Sequence, residues 1–576
     1  SLENVSNLNI FLNGDTTFAL IYGQSSSSNI YLPVILNDSI INSMEFGENS
    51  NQSAIIYNAG VGSTDLILES SLANALGQIN SGTLNAIAIT NSGTLKNYMP
   101  INIGSGAIAM KGIVSSNSST ENYADIVNYS TDGIYKRYTY TSDDEGNPIT
   151  EIEEIPVGGI GLAAPYYDTY YNSYISNRGN IEMGGNYSTA VYNFDDNFVS
   201  ESDHITANGN MATAIYAGSN SLNQISNTNI KADKLMVKGE NGTVLNSNSA
   251  HINIGSFTSG QAMELTADGN NTFAFYFKEY VDMWGNAIPY LGKVTLTSNV
   301  NANLKNGAVG FYYKGDGTAN TADFYSFLDT VVDTSGNNLT VNVDSDSYKI
   351  AIDNAKVNLS GLLNSANTSG INFTGTDRSK IYRSKVIIDI DSNLDKNNSV
   401  GDKSYSNMEI GNSGIDISSG ITVSGTEEGL GGIVQSFAHD DVKIESNNFG
   451  TINLSGDKSA GIYNKMGVSK NEGIINISGN SGTGIYAVTG QAENSGEIFI
   501  GNKGIGMYAE TLLSPAENPT SSSSVSISNS GKITALSGEK AVGIFVNQNA
   551  LTGTTGTASL DLSDGEINVS ASESGI

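Results

Sequence analysis

A unit of about 23 residues recurs along this chain, and a recurrence of that length narrows the fold to stacked repeats, each too small to bury its own apolar face. One unit reads Asn448-Phe449-Gly450-Thr451-Ile452-Asn453-Leu454-Ser455-Gly456 and then Ala460-Gly461-Ile462-Tyr463. The next reads Asn471-Glu472-Gly473-Ile474-Ile475-Asn476-Ile477-Ser478-Gly479 and then Thr483-Gly484-Ile485-Tyr486. A third starts at Asn494 and closes at Met507-Tyr508, and a fourth runs from Asn529-Ser530-Gly531 to Gly543-Ile544-Phe545. Far upstream the frame returns in Asn177-Arg178-Gly179, Ile181, Met183 and Ala190-Val191-Tyr192, and again in Ile205, Ala207 and Ala214-Ile215-Tyr216.

Each unit holds two short runs that alternate with period two. Ile475 and Ile477 fall on one side and Asn476 on the other, and alternation groups Thr483, Ile485 and Ala487 against Tyr486. Gly and Asn punctuate both runs, which are too short for helices. Stacking successive units at the strand spacing of about 4.8 Å lets each strand pair with its counterpart and lines up Ile, Leu and Val inside. The expected fold is therefore all-β, a right-handed parallel β-helix with protruding β-hairpin insertions. Roughly twenty such coils give a rod on the order of 100 Å long. Propeller blades need about twice the residues and four strands, and a leucine-rich repeat places Leu and Asn in a different frame. Tyr463, Tyr486, Tyr508 and Phe545 oppose the inward isoleucines and predict an outward aromatic column that stiffens the sheet. Three segments follow: residues 1–175, irregular coils with a hairpin at about 136–155; residues 176–440, coils with insertions at about 278–290 and 314–330; and residues 441–576, regular repeats.

Composition excludes several functions. A net charge of −31 argues against nucleic acid, which requires a basic stripe to displace counterions, and against anionic lipid. With 64 Gly and only 8 Pro, the chain suits short strands joined by tight turns. It has no Cys, which rules out a disulfide framework. No run of about 18 apolar residues spans a membrane as a helix. The chain begins Ser1-Leu2-Glu3, with neither Met nor a signal peptide, and stops within a repeat at Ile576, so a piece of a larger protein is expected.

The motif Asn-x-Gly-x-Ile-x-Ile-x-Gly followed by Gly-Ile-Tyr, clearest in residues 448–508 and 177–216, resembles the passengers of type Va autotransporters, and most of all the large fusobacterial outer-membrane adhesins, the galactose-sensitive ones among them. The resemblance implies a cell-surface segment of a Gram-negative bacterium that attaches to other bacteria or host cells. It also implies a C-terminal outer-membrane β-barrel beyond Ile576, and a receptor that is a glycan of galactose type or a protein.

Insertions tend to follow the Gly-Ile-Tyr run. After Gly133-Ile134-Tyr135 comes a hairpin pattern through Ile155, and after Phe273-Ala274-Phe275-Tyr276 a second one through Tyr290; longer insertions follow Tyr313 and Tyr508. If all leave from one corner, they line one edge. Aromatics gather there: Tyr138, Tyr140, Tyr166, Tyr167, Tyr170, Tyr171, Tyr174, Tyr280, Trp284 and Tyr290. Tyr and Trp give stiff, flat, partly polar contact area suited to sugar faces and protein hot spots, so these residues are the candidate partner-binding set; packing of the hairpins onto the rod is the alternative role.

Asp389, Asp391, Asn393 and Asp395 place oxygens at alternate positions, as calcium loops do, but Leu394 stands where an EF-hand needs Gly and Val400 where it needs Glu. A solvated acidic turn is the other reading. No cofactor is otherwise expected. His204, His251 and His439 lack metal-ligand spacing, and neither a nucleophile elbow nor a zinc-protease motif occurs. Adhesion is the expected function, not catalysis. A passive spacer that carries a distal tip is the runner-up, followed by a polysaccharide-degrading β-helix enzyme with paired carboxylates on neighbouring coils.

Overall fold

The structure is a computed structural model. It describes residues 174–194, 197–219, 227–278, 292–315, 324–363, 370–395, 408–435, 445–488, 490–511, 524–536, 539–547 and 557–569; before residue 174, and at 280–281, 287–288 and 320–321, it describes strands and short adjoining stretches. The chain divides into two compact units. One comprises Ser1–Tyr313, Asp329–Ile350 and Thr368–Asp377; the other comprises Lys314–Leu328, Ala351–Asn367 and Arg378–Ile576. Both are built almost wholly of parallel strands.

In the second unit each repeat contributes one strand to each of three parallel sheets. The first sheet includes Glu445–Asn448, Val468–Asn471, Gly490–Asn494 and Ser524–Asn529. The second includes Thr451–Leu454, Ile474–Ile477, Glu497–Ile500 and Lys532–Ala535. The third holds Gly431–Gln435, Ala460–Asn464, Thr483–Ala487, Ile505–Glu510 and Val542–Asn547. Equivalent residues pair from repeat to repeat: Ile452, Ile475, Ile498 and Ile533 in one column, and Ile462, Ile485, Met507 and Ile544 in another. The column of four isoleucines is fully buried, and each such side chain contributes about 1.5–3 kcal/mol relative to exposure. Stacked parallel strands in this register are the coarse architecture that the sequence periodicity implied.

Ser524–Asn529 of the first sheet buries Val525 and Ile527, but the equivalent strand Val468–Asn471 carries no apolar alternation, and for that reason the sequence of its repeat displays only two strands. Its inward residues are polar: Ser469 and Asn471 are completely buried. Asn448, Asn471, Asn494 and Asn529 form a continuous amide column. Each Nδ2 donates to the Oδ1 of the next, at 2.7, 2.7 and 2.6 Å. The column starts at Asn448, because Ile417 occupies the position before it. The first unit carries a matching series, in which Asn97 Nδ2 donates to Asn122 at 2.8 Å and Asn122 Nδ2 to Asn177 at 2.7 Å. Thus the Asn of the Asn-x-Gly motif is a core residue, and its Gly turns the corner where the preceding repeat lies closest. A Cβ on Gly496 would sit 2.1 Å from the Gly473 carbonyl oxygen.

The strand Thr483–Ala487 departs from simple alternation. Gly484 and Ile485 are both buried, and Thr483 turns outward beside Tyr486 instead of sharing the face of Ile485. A Cβ on Gly484 would come within 2.4 Å of both the Gly506 oxygen and Ile498 Cγ2, so the bare backbone is what allows the chain to bend there.

The first unit uses the same frame with longer repeats. Thr243 pairs with Thr213 before it and Phe273 after it, thirty residues to either side, against 23 between Tyr463 and Tyr486. Where no Asn-x-Gly interrupts the chain, two short strands fuse into one: Asn197–Asn208 and Asn227–Lys238 each run twelve residues. The frame reaches the earliest strands, since Leu20 of Phe18–Tyr22 pairs with Ile56, and Ile56 with Ile89.

Two antiparallel hairpins depart from the parallel stack. Gly133–Ser142 pairs with Pro148–Val157, and Tyr280–Val281 with Ala287–Ile288. The insertion after Lys314 includes the helix Phe324–Val331, which buries Phe324, Tyr325 and Leu328; its short length hid it from periodicity.

Candidate functional site

The outward aromatic column is present in the second unit. Ring centroids stand 5.2 Å apart between Tyr463 and Tyr486, 4.9 Å between Tyr486 and Tyr508, and 5.4 Å between Tyr508 and Phe545. The parallel register fixes this spacing, since each ring lies one strand above the last. Glu510 ties the column together: its carboxylate accepts from the Tyr486 hydroxyl through one oxygen and from the Tyr508 hydroxyl at 2.8 Å through the other. Burial, reinforced by the Glu510 carboxylate, holds the Tyr486 hydroxyl well above the ordinary phenol range. Tyr508 is shifted the same way, chiefly by burial.

Beside the column lies an open groove of about 540 Å³. One wall follows Val434, Tyr463, Tyr486 and Tyr508, which pair in succession. The other follows Gly431, Ala460, Thr483 and Ile505, and at the first rung Val434 Cγ2 leans toward Gly431, 2.3 Å from where a Cβ would stand. Val434 stands where the next ring would be, so among the described residues only one face of Tyr463 is covered by another ring. The cation at the rim, Lys458 Nζ, lies 2.6 Å from Glu428 Oε1. A second groove of about 440 Å³ follows Asn393, Ser424, Asn453 and Asn476 on the outer side of the middle sheet.

The sequence-derived set is only partly placed. The hairpins anticipated around residues 136–155 and 278–290 both exist as backbone pairings. The side chains of Tyr138, Tyr140 and Tyr280, and the whole of Tyr166, Tyr167, Tyr170, Tyr171, Trp284 and Tyr290, lie outside the described residues. Tyr174 is described, and is 40% exposed.

One shared corner does not serve every insertion. Gly133-Ile134-Tyr135 is the first arm of its hairpin. The sheet position of that repeat belongs to Ile160–Ala164, whose Leu162 pairs with Val191. This hairpin therefore leaves one corner earlier, after Ile126–Asn128, whereas Tyr280–Val281 follows Phe273–Lys278 as expected. Ten consecutive antiparallel pairs hold Gly133–Ser142 in the hairpin, and these outweigh a three-residue likeness to the repeat.

Asp389 accepts hydrogen bonds from Asn358 Nδ2 at 3.0 Å and from the backbone and hydroxyl of Ser360. Asp391 accepts from the Thr422 amide at 2.7 Å, and Asn393 Oδ1 from the Ser424 hydroxyl at 2.7 Å. Their oxygens thus join this repeat to the ones on either side, and Asp395 also has its own contacts. Among the described residues no three His, Asp or Glu side chains group closely enough to hold a metal ion. Of the histidines, His204 Nε2 lies 2.7 Å from Glu182 and His251 is half-buried, while His439 lies outside the described residues.

Sequence reasoning missed Glu510, which it assigned to the insertion after Tyr508. It is the last residue of Ile505–Glu510 and is 8% exposed. A lone acid after a tyrosine pair carries no periodic signal.

The chain matches no protein-family model, no curated protein and no solved structure.

Proposed function

We propose that this chain is a passenger segment of an autotransporter-type adhesin, a right-handed parallel β-helix that attaches a Gram-negative bacterium to other bacteria or to host cells. The observation that carries this reading is the combination of a parallel stack with antiparallel hairpins standing on it. Solenoids place recognition on insertions of that kind. A spacer needs only uniform repeats, whereas these repeats change in length and gain hairpins and a helix. The acidic charge of −31 and the absence of Cys fit an exported surface segment, anchored by an outer-membrane β-barrel elsewhere in the full protein. The receptor is a surface glycan of galactose type or a protein, met by the tyrosines and Trp284 of the insertions.

The test is attachment of the fluorescently labelled chain to bacterial and epithelial cells, with and without competing galactosides. Removing residues 136–155 and 278–290 together should abolish attachment while the circular dichroism of the stack is retained. Undiminished attachment by the doubly deleted chain would remove the hairpins as the site, and no attachment by the intact chain would remove adhesion.

A further inference from the structure

We propose that the groove beside Tyr463 is a subsite for a neutral oligosaccharide, with a pyranose ring seated against the free face of Tyr463 over Val434. This rests on the adhesive reading for its biological use, but on the groove alone for its chemistry.

Three observations define the occupant. The first is the broken column. Tyr486 and Tyr508 have a ring on both sides, whereas Tyr463 has Tyr486 on one side and Val434 on the other. A stacked ring offers only its edge to a ligand; an end ring offers a face, and aromatic faces attract the C–H side of flat ligands. The second is the opposite wall. Gly431 and Ala460 lie in register beside Val434 and Tyr463, while Thr483 and Ile505 follow beside the covered rings. Val434 Cγ2 takes the space a Gly431 side chain would use, 2.3 Å from where its Cβ would stand, so an apolar valine lines the groove next to the end ring. Its volume of about 540 Å³ falls within the range of roughly 300–1,000 Å³ typical of small-molecule sites. Its run over three strand spacings, about 14 Å, is long enough for several linked sugar rings.

The third observation is charge. The rim cation Lys458 is already engaged by Glu428, among the described residues the two walls carry no ionisable group besides the tyrosines, and the chain as a whole is strongly acidic. An anionic ligand finds no spare positive charge among the described lining residues and a repulsive field from the acidic chain; an uncharged polyhydroxylated one finds neither obstacle. The Tyr463 hydroxyl and the Thr483 hydroxyl supply hydrogen-bonding groups at the groove surface.

The experiment is saturation-transfer NMR and calorimetry on the full chain with two neutral tetrasaccharides, cellotetraose and lacto-N-tetraose, and one acidic probe, tetragalacturonate. The intact chain should bind at least one neutral probe and bind the acidic one at least about tenfold more weakly. Tyr463→Ala removes the ring face, and Ala460→Leu fills the groove from an outward position. Each should weaken neutral binding by about tenfold or more, the scale of one lost aromatic contact. Failure of both neutral probes to bind, equal binding of the acidic probe, or undiminished binding by both variants overturns the proposal. Cell attachment by the intact chain separates the two readings. A chain that attaches to cells yet binds no tetrasaccharide refutes the groove and spares adhesion; one that binds tetrasaccharide but never attaches does the reverse.

Discussion

The buried amide column makes a positional prediction: an internal rung should matter more than the first. Asn471 accepts from Asn448 and donates to Asn494, both at 2.7 Å, and is fully buried. Replacing it with leucine, which is nearly the same size, opens no cavity but strips two partners. Asn448 Nδ2 loses its main acceptor, and Asn494 Oδ1 its donor. Each buried polar group left unpaired costs about 1–3 kcal/mol, so Asn471→Leu should destabilise its neighbourhood by roughly 3 kcal/mol. Asn448 is different, because its Oδ1 already lacks a donor among the described residues. Asn448→Leu takes the donor from the Asn471 oxygen and a longer, 3.2 Å bond from the Ile474 carbonyl, but removes one unsatisfied atom, so the net cost should be about 1 kcal/mol or less. Stability in stacked repeats is local, so the suitable assay is native-state hydrogen exchange of the amides in residues 445–500. Asn471→Leu should speed exchange there on the order of a hundredfold, and Asn448→Leu by less than about tenfold. Equal acceleration by the two variants, or less than about tenfold for Asn471→Leu, would refute the account of the column as a chain of mutually dependent rungs.

Further outcomes follow from close approach, buried charge and the tyrosine column. Gly484→Ala places a methyl 2.4 Å from a backbone oxygen and should lower the urea midpoint by the equivalent of about 2–3 kcal/mol; Gly420→Asn, at φ +81° with open space around it, should stay within about 1 kcal/mol. Arg383 forks onto the fully buried Asp353 carboxylate, with Nε donating to Oδ1 at 2.8 Å. Arg383→Met should cost about 3 kcal/mol, and adding Asp353→Asn should recover most of it, as urea titration of the single and double variants will show. The raised Tyr486 phenol keeps its proton in the folded chain at a pH where an unfolded tyrosine, near 10, has lost it. The resulting stability is complete below about pH 10 and drains away as pH rises above that. Absorbance at 295 nm should show late ionisation that coincides with loss of ellipticity, and Tyr486→Phe should shift that loss to higher pH; early ionisation without unfolding contradicts the assignment.

The sequence revealed whatever repeats and whatever is apolar. The Ile475 and Ile485 columns and the outward tyrosines were legible because apolar side chains alternate around them. The strand Val468–Asn471 was not, because its core residues are Ser469 and Asn471, and amides that satisfy one another across repeats look like surface residues when read one at a time. Gly133-Ile134-Tyr135 misled for the opposite reason. It has the local signature of the third strand, but the ten-pair hairpin it enters is a nonlocal preference that no three-residue motif reports. The groove at Tyr463 was invisible because it depends on Val434 lying in register with a tyrosine 29 residues later, and that interval is not the 23 of the neighbouring repeats.

Residues 511–523 separate Ile505–Glu510 from Ser524–Asn529, yet the repeats before and after keep their register: Met507 meets Ile544 and Ile500 meets Ala535. The fold therefore counts strand phase and ignores arc length. A longer peptide exchanged into that interval should cost the scaffold only about 0.6 kcal/mol for each doubling of its length, so selection acting on such segments can rewrite the contact surface while the framework stays still.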